Sequence, residues 1–250
     1  MDIAHPAFHI AGPLHLSAAE VHLWCVDLAA TAPEEAQWAP ILSTDEQARA
    51  ARFRFQEHRQ YFIAARAILR QVLAAYLAAD PKDLVFIYSA KDKPALGGAH
   101  ADALSFNVSH SGDIALFAFT RSRQIGVDVE LIRHNFDNAA IAQRFFSPVE
   151  QQQLAALAPA QRDDAFFRCW TRKEAYIKAT GEGLSLPLDQ FDVSLAPLAR
   201  NALLATRPDP AEAQRWSLRD VSVPPGYAAA LCVFGADWTL IDWSGTADAS

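Results

Sequence analysis

The chain is poor in what would mark several common functions. Cysteine is scarce: Cys25, Cys169 and Cys232 are odd in number and far apart. They suit neither a zinc knuckle nor a disulfide framework, and buried thiols in a reducing cytoplasm are expected. Net positive charge is missing as well. The formal charge is −7, whereas general nucleic-acid binding needs a basic face to neutralise phosphates. No apolar run approaches the roughly 20 residues of a membrane span. The stretch 1–12 lacks the basic start and long apolar core of a secretory signal, so neither a membrane nor secretion is expected. There is no G-x-x-x-x-G-K-S loop, no G-x-G-x-x-G after a strand and no nucleophile elbow with a Ser-His-Asp order.

What is present is apolar bulk. The 250 residues are 51% hydrophobic, enough for one large domain or two small ones. The run Ile125–Ile132 stands out within it, because Asp128 and Glu130 lie two apart among apolar neighbours. As a strand it sends both carboxylates to one face and Val127 and Val129 to the other. Two such carboxylates repel each other and lose solvation unless a cation compensates, and a divalent metal is an economical answer. An isolated D-x-E would instead read as an edge strand with one solvated face.

The rest divides into an α+β pattern repeated in kind. Val21–Leu28 reads as a strand, and Ser43 with Glu46 forms a capping box opening a helix to about Ala79, broken near His58. Val85–Ala90, Leu104–Ser109 and Ile114–Thr120 read as strands, with turns at Lys91–Pro94 and His110–Asp113. After the link 121–124, Ser147-Pro148-Val149-Glu150 starts a helix, and a second runs from about Ala160 to Thr180, ending at Gly181. Phe191–Leu195, Leu203–Thr206, Trp216–Val221 and Tyr227–Phe234 supply strands, and the polar tail Ser244–Ser250 is expected to fray. The division is therefore 1–122 and 123–250, with no sequence repeat discerned between the halves.

Glu174 and Lys178 lie four apart on one helix face, the spacing of a surface salt bridge. Flanked by Trp170, Tyr176 and Ile177, they could instead sit beside the core, where a carboxylate opposite Asp128 and Glu130 would complete an oxygen-rich Mg²⁺ site and Lys178 would face a phosphate. Ser109 and His110 could donate to phosphate oxygens, although a lone histidine is more often structural. Arg49, Arg52, Arg54, Arg59, Arg66 and Arg70 concentrate positive charge, with Arg52, Arg54 and Arg59 expected on a solvated face.

FNVSHSG (Phe106–Gly112), IGVDVE (Ile125–Glu130) and FFRCWTRKEAYIKATGEGLSLPL (Phe166–Leu188) resemble, in order and spacing, the signature blocks of the 4′-phosphopantetheinyl transferases, the long surfactin-type members above all. The W-x-x-K-E-x-x-x-K block appears as Trp170, Lys173, Glu174 and Lys178, and the likeness spans roughly 40 to 195. The resemblance implies two similar α+β halves in one chain, a pseudo-dimer working as a monomer, with the active site between them. It implies Mg²⁺-dependent transfer of the phosphopantetheine arm of coenzyme A to a serine of an acyl or peptidyl carrier protein, releasing adenosine 3′,5′-bisphosphate. Asp128, Glu130 and Glu174 match the metal carboxylates, and Lys178 a phosphate-contacting lysine. Ser109, His110, Lys93 and Arg49 match coenzyme A contacts, with Arg66 a weaker match. Glu174, directly or through water, is the candidate base, and Phe145, Phe146, Leu184, Leu186 and Leu188 offer either a docking surface or ordinary core.

The chemistry suits these residue types, since phosphoryl-type transfer needs charge neutralisation more than an enzymic nucleophile. The same carboxylates would serve a metal-dependent pyrophosphohydrolase, but the Nudix-type R-E-x-x-E-E helix is absent. The third alternative is a non-catalytic module that binds coenzyme A or a carrier.

Overall fold

Each half is built around one 22-residue helix that follows a short helix opened by a serine–glutamate capping box. The structure is a computed structural model that describes residues 10, 12–32, 35–134, 137–207 and 209–243, without the side chain of residue 184. The tail 244–250 and most of the stretch 1–12 lie outside the described residues. The first half holds β1 (Glu20–Asp27), α1 (Leu28–Thr31), α2 (Glu35–Trp38), α3 (Thr44–Ala50), α4 (Gln56–Leu77), β2 (Phe86–Tyr88), β3 (Pro94–Leu96), β4 (Ser105–Ser111) and β5 (Ile114–Thr120). Then follow β6 (Ile125–Leu131), α5 (Asn138–Phe145), α6 (Pro148–Ala156), α7 (Pro159–Thr180), β7 (Phe191–Val193), β8 (Leu203–Thr206), β9 (Trp216–Asp220), β10 (Tyr227–Phe234) and β11 (Thr239–Asp242).

The strands form one sheet of order β11-β1-β5-β4, a second of order β6-β10-β9, and the hairpins β2-β3 and β7-β8. Alternation along the strands sorts their side chains into separate cores. Trp24, Val26, Phe117 and Phe119 pack with α4, and Leu218, Ala230 and Cys232 with α7. Between the sheets, Val21, Leu23 and Leu116 meet Val127, Val129 and Leu231. The result is helix, sheet, sheet, helix, with the two sheets face to face.

The halves share more than their order of elements. Glu46 Oε2 accepts the Ser43 N–H at 3.0 Å and Glu150 Oε2 accepts the Ser147 N–H at 2.8 Å, 104 positions later in the chain. Gln47 Nε2 donates to Ala39 O and Leu42 O, and Gln151 Nε2 to Gln143 O and Phe146 O, at the same offset. Each buried glutamate then meets a buried cation on its long helix: Glu46 with Arg70 at 2.7 Å and Glu150 with Lys173 at 2.8 Å. An internal duplication explains this, and it left S-x-x-E-Q at Ser43–Gln47 and Ser147–Gln151, a trace too short to stand out as a repeat in the sequence.

Several expectations need correcting. The first helix breaks at 51–55, ahead of His58, and the exposed Phe55 is the N-cap of α4. β4 continues through Ser111, which reduces the turn to Gly112-Asp113. Neither α5 nor β11 was anticipated. β11 pairs in parallel with β1, so residues 239–242 belong to the first sheet. Phe146 and Leu188 are core, and Phe145 and Leu186 pack half-buried against it, while the Leu184 side chain lies outside the described residues.

One glycine fixes how the second half closes. A Cβ at Gly126 would lie 2.1 Å from Ala175 O and 2.4 Å from Ala179 N, both backbone atoms of α7. The helix therefore rests directly on β6, and only a residue without a side chain permits it. Gly126→Ala is expected to lower stability by about 2–3 kcal/mol or more, measured by urea unfolding, because neither backbone can yield cheaply. Lys173, fully buried, donates to Leu188 O and Phe191 O besides pairing with Glu150. Lys173→Ala, which strands Glu150 in the core, should cost about 3–5 kcal/mol in the same measurement.

Candidate functional site

β4 and β6 are the facing edges of the two sheets, and among the described residues no backbone ladder joins them. Side chains do so instead. Asn107 Oδ1 accepts the Val127 N–H at 2.8 Å, Ser109 Oγ the Val129 N–H at 3.3 Å, and Ser111 Oγ the Leu131 N–H at 3.1 Å. The period of two on both strands keeps the three contacts in phase.

On this seam sits Asp128, buried. Its Oδ1 accepts from Lys178 Nζ at 2.6 Å and from Ser109 Oγ at 2.9 Å, whereas its Oδ2 is buried with no hydrogen-bond partner. Burial raises its pKa, and the Lys178 ammonium and the Ser109 hydroxyl oppose that rise. Glu130 lies two residues on, its Oε2 accepting from Ser111 Oγ at 2.8 Å. Burial raises its pKa too, with the Ser111 hydrogen bond lowering it and the charge of Asp128 adding to the rise.

The close seat of α7 on Gly126 brings the third carboxylate. Glu174 is pushed up to about 7, first by burial and then by the charge of Asp128, with Lys178 offsetting part and Glu130 adding to it. The three acids thus share one neighbourhood. Lys178 pairs with Asp128 and also donates to Ser109 Oγ at 3.0 Å and Val127 O at 3.3 Å, so it does not form the surface bridge to Glu174 that the spacing of four allows. Among the described residues no group of three or more acidic, histidine or cysteine side chains is placed so as to hold a metal ion as it stands.

A cleft of about 1300 Å³ opens along α3, α4 and β4. The three acids and Lys178 are not in its lining, and it comes near them at His110, which feels the Lys178 charge, and at Arg133, whose charge reaches Glu130. Arg49, His110 and Arg66 line it, as do Arg52 and Arg133, which sequence reasoning had not singled out for the site. Arg52 is exposed, as expected of a solvated face, and that face borders the cleft. Phe53, Tyr61, Phe62 and Tyr88 supply apolar wall. Burial among these walls, then the charges of Lys178 and Arg49, lower the pKa of His110 although its edge reaches solvent. At the mouth, Tyr61 donates to Asp113 Oδ1 at 2.9 Å and the Asp113 N–H donates to Tyr227 Oη at 3.1 Å, tying α4, the β4–β5 turn and β10 together.

Two expected contacts are engaged elsewhere. Ser109 lies on the opposite face of β4 from His110, bonded to Asp128 and the β6 backbone. Lys93 donates to Ile125 O at 3.1 Å and to Lys178 O at 2.6 Å, and burial followed by the nearby Lys178 charge brings its pKa down to about 8. It staples the β2–β3 turn to β6 and the end of α7, and it is not part of the cleft lining. Asn107 and Ser111 were missed. Their signal was the in-phase row Asn107, Ser109, Ser111, small polar side chains alternating with Phe106, Val108 and His110.

Residues 124–232 match the family model for the 4′-phosphopantetheinyl transferase superfamily, and residues 30–122 that for 4′-phosphopantetheinyl transferase, N-terminal. The chain is 41% identical over 231 residues to the 4′-phosphopantetheinyl transferase HetI of Nostoc sp., covering 92% of this chain and 94% of that protein. It is 30% identical over 217 residues to the 4′-phosphopantetheinyl transferase Sfp of Bacillus subtilis, covering 84% and 92%. A third relative, the L-aminoadipate-semialdehyde dehydrogenase-phosphopantetheinyl transferase of Xenopus laevis, is 28% identical over 189 residues, covering 70% and 62%. With both halves matched and close likeness along nearly the whole length, the chain belongs to the 4′-phosphopantetheinyl transferase superfamily.

Proposed function

We propose that the protein transfers the 4′-phosphopantetheine arm of coenzyme A to a serine hydroxyl of an acyl or peptidyl carrier protein, releasing adenosine 3′,5′-bisphosphate. The observation that carries this reading is the nearness of one buried carboxylate, Asp128, two half-buried ones, Glu130 and Glu174, and Lys178 to a cation-lined cleft large enough for a nucleotide-sized cosubstrate. Arg49 and His110 in the cleft wall offer donors for coenzyme A phosphates, and Arg66, largely buried and paired with Glu46 at 3.4 Å, adds positive charge behind them.

Asp128, Glu130 and Glu174 suit Mg²⁺. All three offer oxygen, the hard donor this ion prefers, and Asp128 Oδ2 is a buried acceptor with no protein partner. An open cluster fits as well, because Mg²⁺ usually takes one or two carboxylates and keeps its remaining positions for water and phosphate. Bound there, the ion would neutralise charge on the pyrophosphate. The protein's own groups do the rest. Lys178, held by Asp128 and Ser109, would add a point charge toward the same phosphates. As the serine oxygen bonds to phosphorus and the bond to the leaving phosphate breaks, Glu174 takes the serine proton.

Intact mass of an apo carrier protein, incubated with coenzyme A and Mg²⁺, should rise by one phosphopantetheine. Release of adenosine bisphosphate without carrier would instead indicate hydrolysis. Asp128→Ala and Glu174→Ala should each slow transfer by about 100-fold or more while the far-ultraviolet circular dichroism stays native. Retention of near-normal turnover in both would remove the metal assignment. Chelation of divalent ions should stop transfer, and added Mg²⁺ should restore it. Arg49→Ala should raise KM for coenzyme A roughly tenfold, about the worth of one charge-assisted hydrogen bond.

A further inference from the structure

The seam between β4 and β6 contains a device that the reaction as described does not use. Ser109 and Ser111 each accept a β6 N–H, and in doing so each turns its own proton toward a carboxylate, Ser109 toward Asp128 and Ser111 toward Glu130. The two acids differ in what else holds them. Asp128 also has Lys178, whereas among the described residues the hydrogen bond recorded for Glu130 is the one from Ser111. A glutamate has three rotatable bonds, and without that contact its carboxylate is free to swing toward solvent or Arg133.

We propose that Ser111 is a positioning residue of the transfer reaction: anchored by the Leu131 N–H, its hydroxyl fixes the direction in which Glu130 presents its carboxylate to the site. This rests on the placement of Glu130 among the metal carboxylates. Groups that orient a ligand from behind commonly change metal affinity or activity by about 10- to 100-fold when removed. A merely structural role makes a different prediction. If Ser111 only stitched the sheets, it would be equivalent to Asn107, which caps the Val127 N–H in the same row and touches no carboxylate.

The test compares Ser111→Ala, Ser111→Thr, Asn107→Ala and Glu130→Gln in the full chain. Mn²⁺ binding in the presence of coenzyme A is followed by loss of the free-ion paramagnetic resonance signal, alongside kcat, KM for coenzyme A and urea stability. Ser111→Ala should weaken Mn²⁺ binding and lower kcat by about tenfold each, and Ser111→Thr, which keeps the hydroxyl, should restore both. Asn107→Ala should lose stability yet keep Mn²⁺ affinity within about twofold of the parent. Should Ser111→Ala not fold, Ser111→Cys keeps the volume with a weaker donor and should show the same losses. Wild-type Mn²⁺ affinity in Ser111→Ala, or equal losses in Asn107→Ala, would overturn the proposal while an impaired Glu130→Gln left the metal reading standing. Unchanged Mn²⁺ affinity in Glu130→Gln would remove Glu130 from the metal carboxylates and overturn the proposal with it.

Discussion

Burying the Asp128 carboxylate at the junction of two sheets is the constraint from which the centre of this protein follows. An ion moved out of water costs several kcal/mol unless a cation and hydrogen bonds reach it. Here the cation comes from α7, as Lys178, and the hydroxyl from β4, as Ser109. Lys178 reaches the strand because α7 lies against it, and α7 lies against it because residue 126 has no side chain. Ser109 reaches it because β4 runs in register with β6 along the seam. One charge therefore specifies the relative placement of three elements. Lys93 reinforces the arrangement by bonding carbonyls of β6 and α7 from the β2–β3 turn.

The duplication explains why a single site arises from two similar halves. Both copies close their short helix onto the long one with a buried ion pair, Glu46–Arg70 and Glu150–Lys173. Both also pair their first strand with a later antiparallel one, β1 with β5 and β6 with β10. The copies part at the free edge of that first strand. β1 is covered by the backbone of β11, while β6 is met by side chains of β4. The first edge is satisfied by peptide groups alone, and the second keeps polar side chains that can also serve carboxylates.

Much of this was legible in the chain. The capping serines, Gly181 in the left-handed conformation at the end of α7 and the alternation along Ile125–Leu131 are local signals, and local physics decided them. The grouping of Asp128, Glu130 and Glu174 was implied by the family resemblance, whereas the spacing of Glu174 and Lys178 alone favours a surface salt bridge. What escaped were non-local facts. Thr239–Asp242 carries no strong strand pattern and owes its state to the edge of β1. Lys173, Glu174 and Lys178 are all polar and close in sequence, yet one is buried in the core, one joins the acid cluster and one bonds Asp128, because a helix turns each to a different neighbour. The basic run 49–70 divides in the same way: Arg70 is sealed into the first core, and Arg49 and Arg52 face the cleft.

A seam of side chains does here what a backbone ladder could not. A peptide carbonyl facing β6 would satisfy its N–H groups but carries no proton to offer a carboxylate. A serine hydroxyl accepts and donates at once, so the atoms that join the sheets also hold the acids. The choice of residue follows rung by rung. Asp128 and Glu130 stand opposite Ser109 and Ser111, each able to donate. At the first rung β6 has Gly126, where α7 fills the space a side chain would need, and the partner there is Asn107, acting through its carbonyl oxygen as an acceptor for the Val127 N–H. The polar row on β4 is therefore complementary to the acid row on β6, and the position of the carboxylates is written into the joint between the halves.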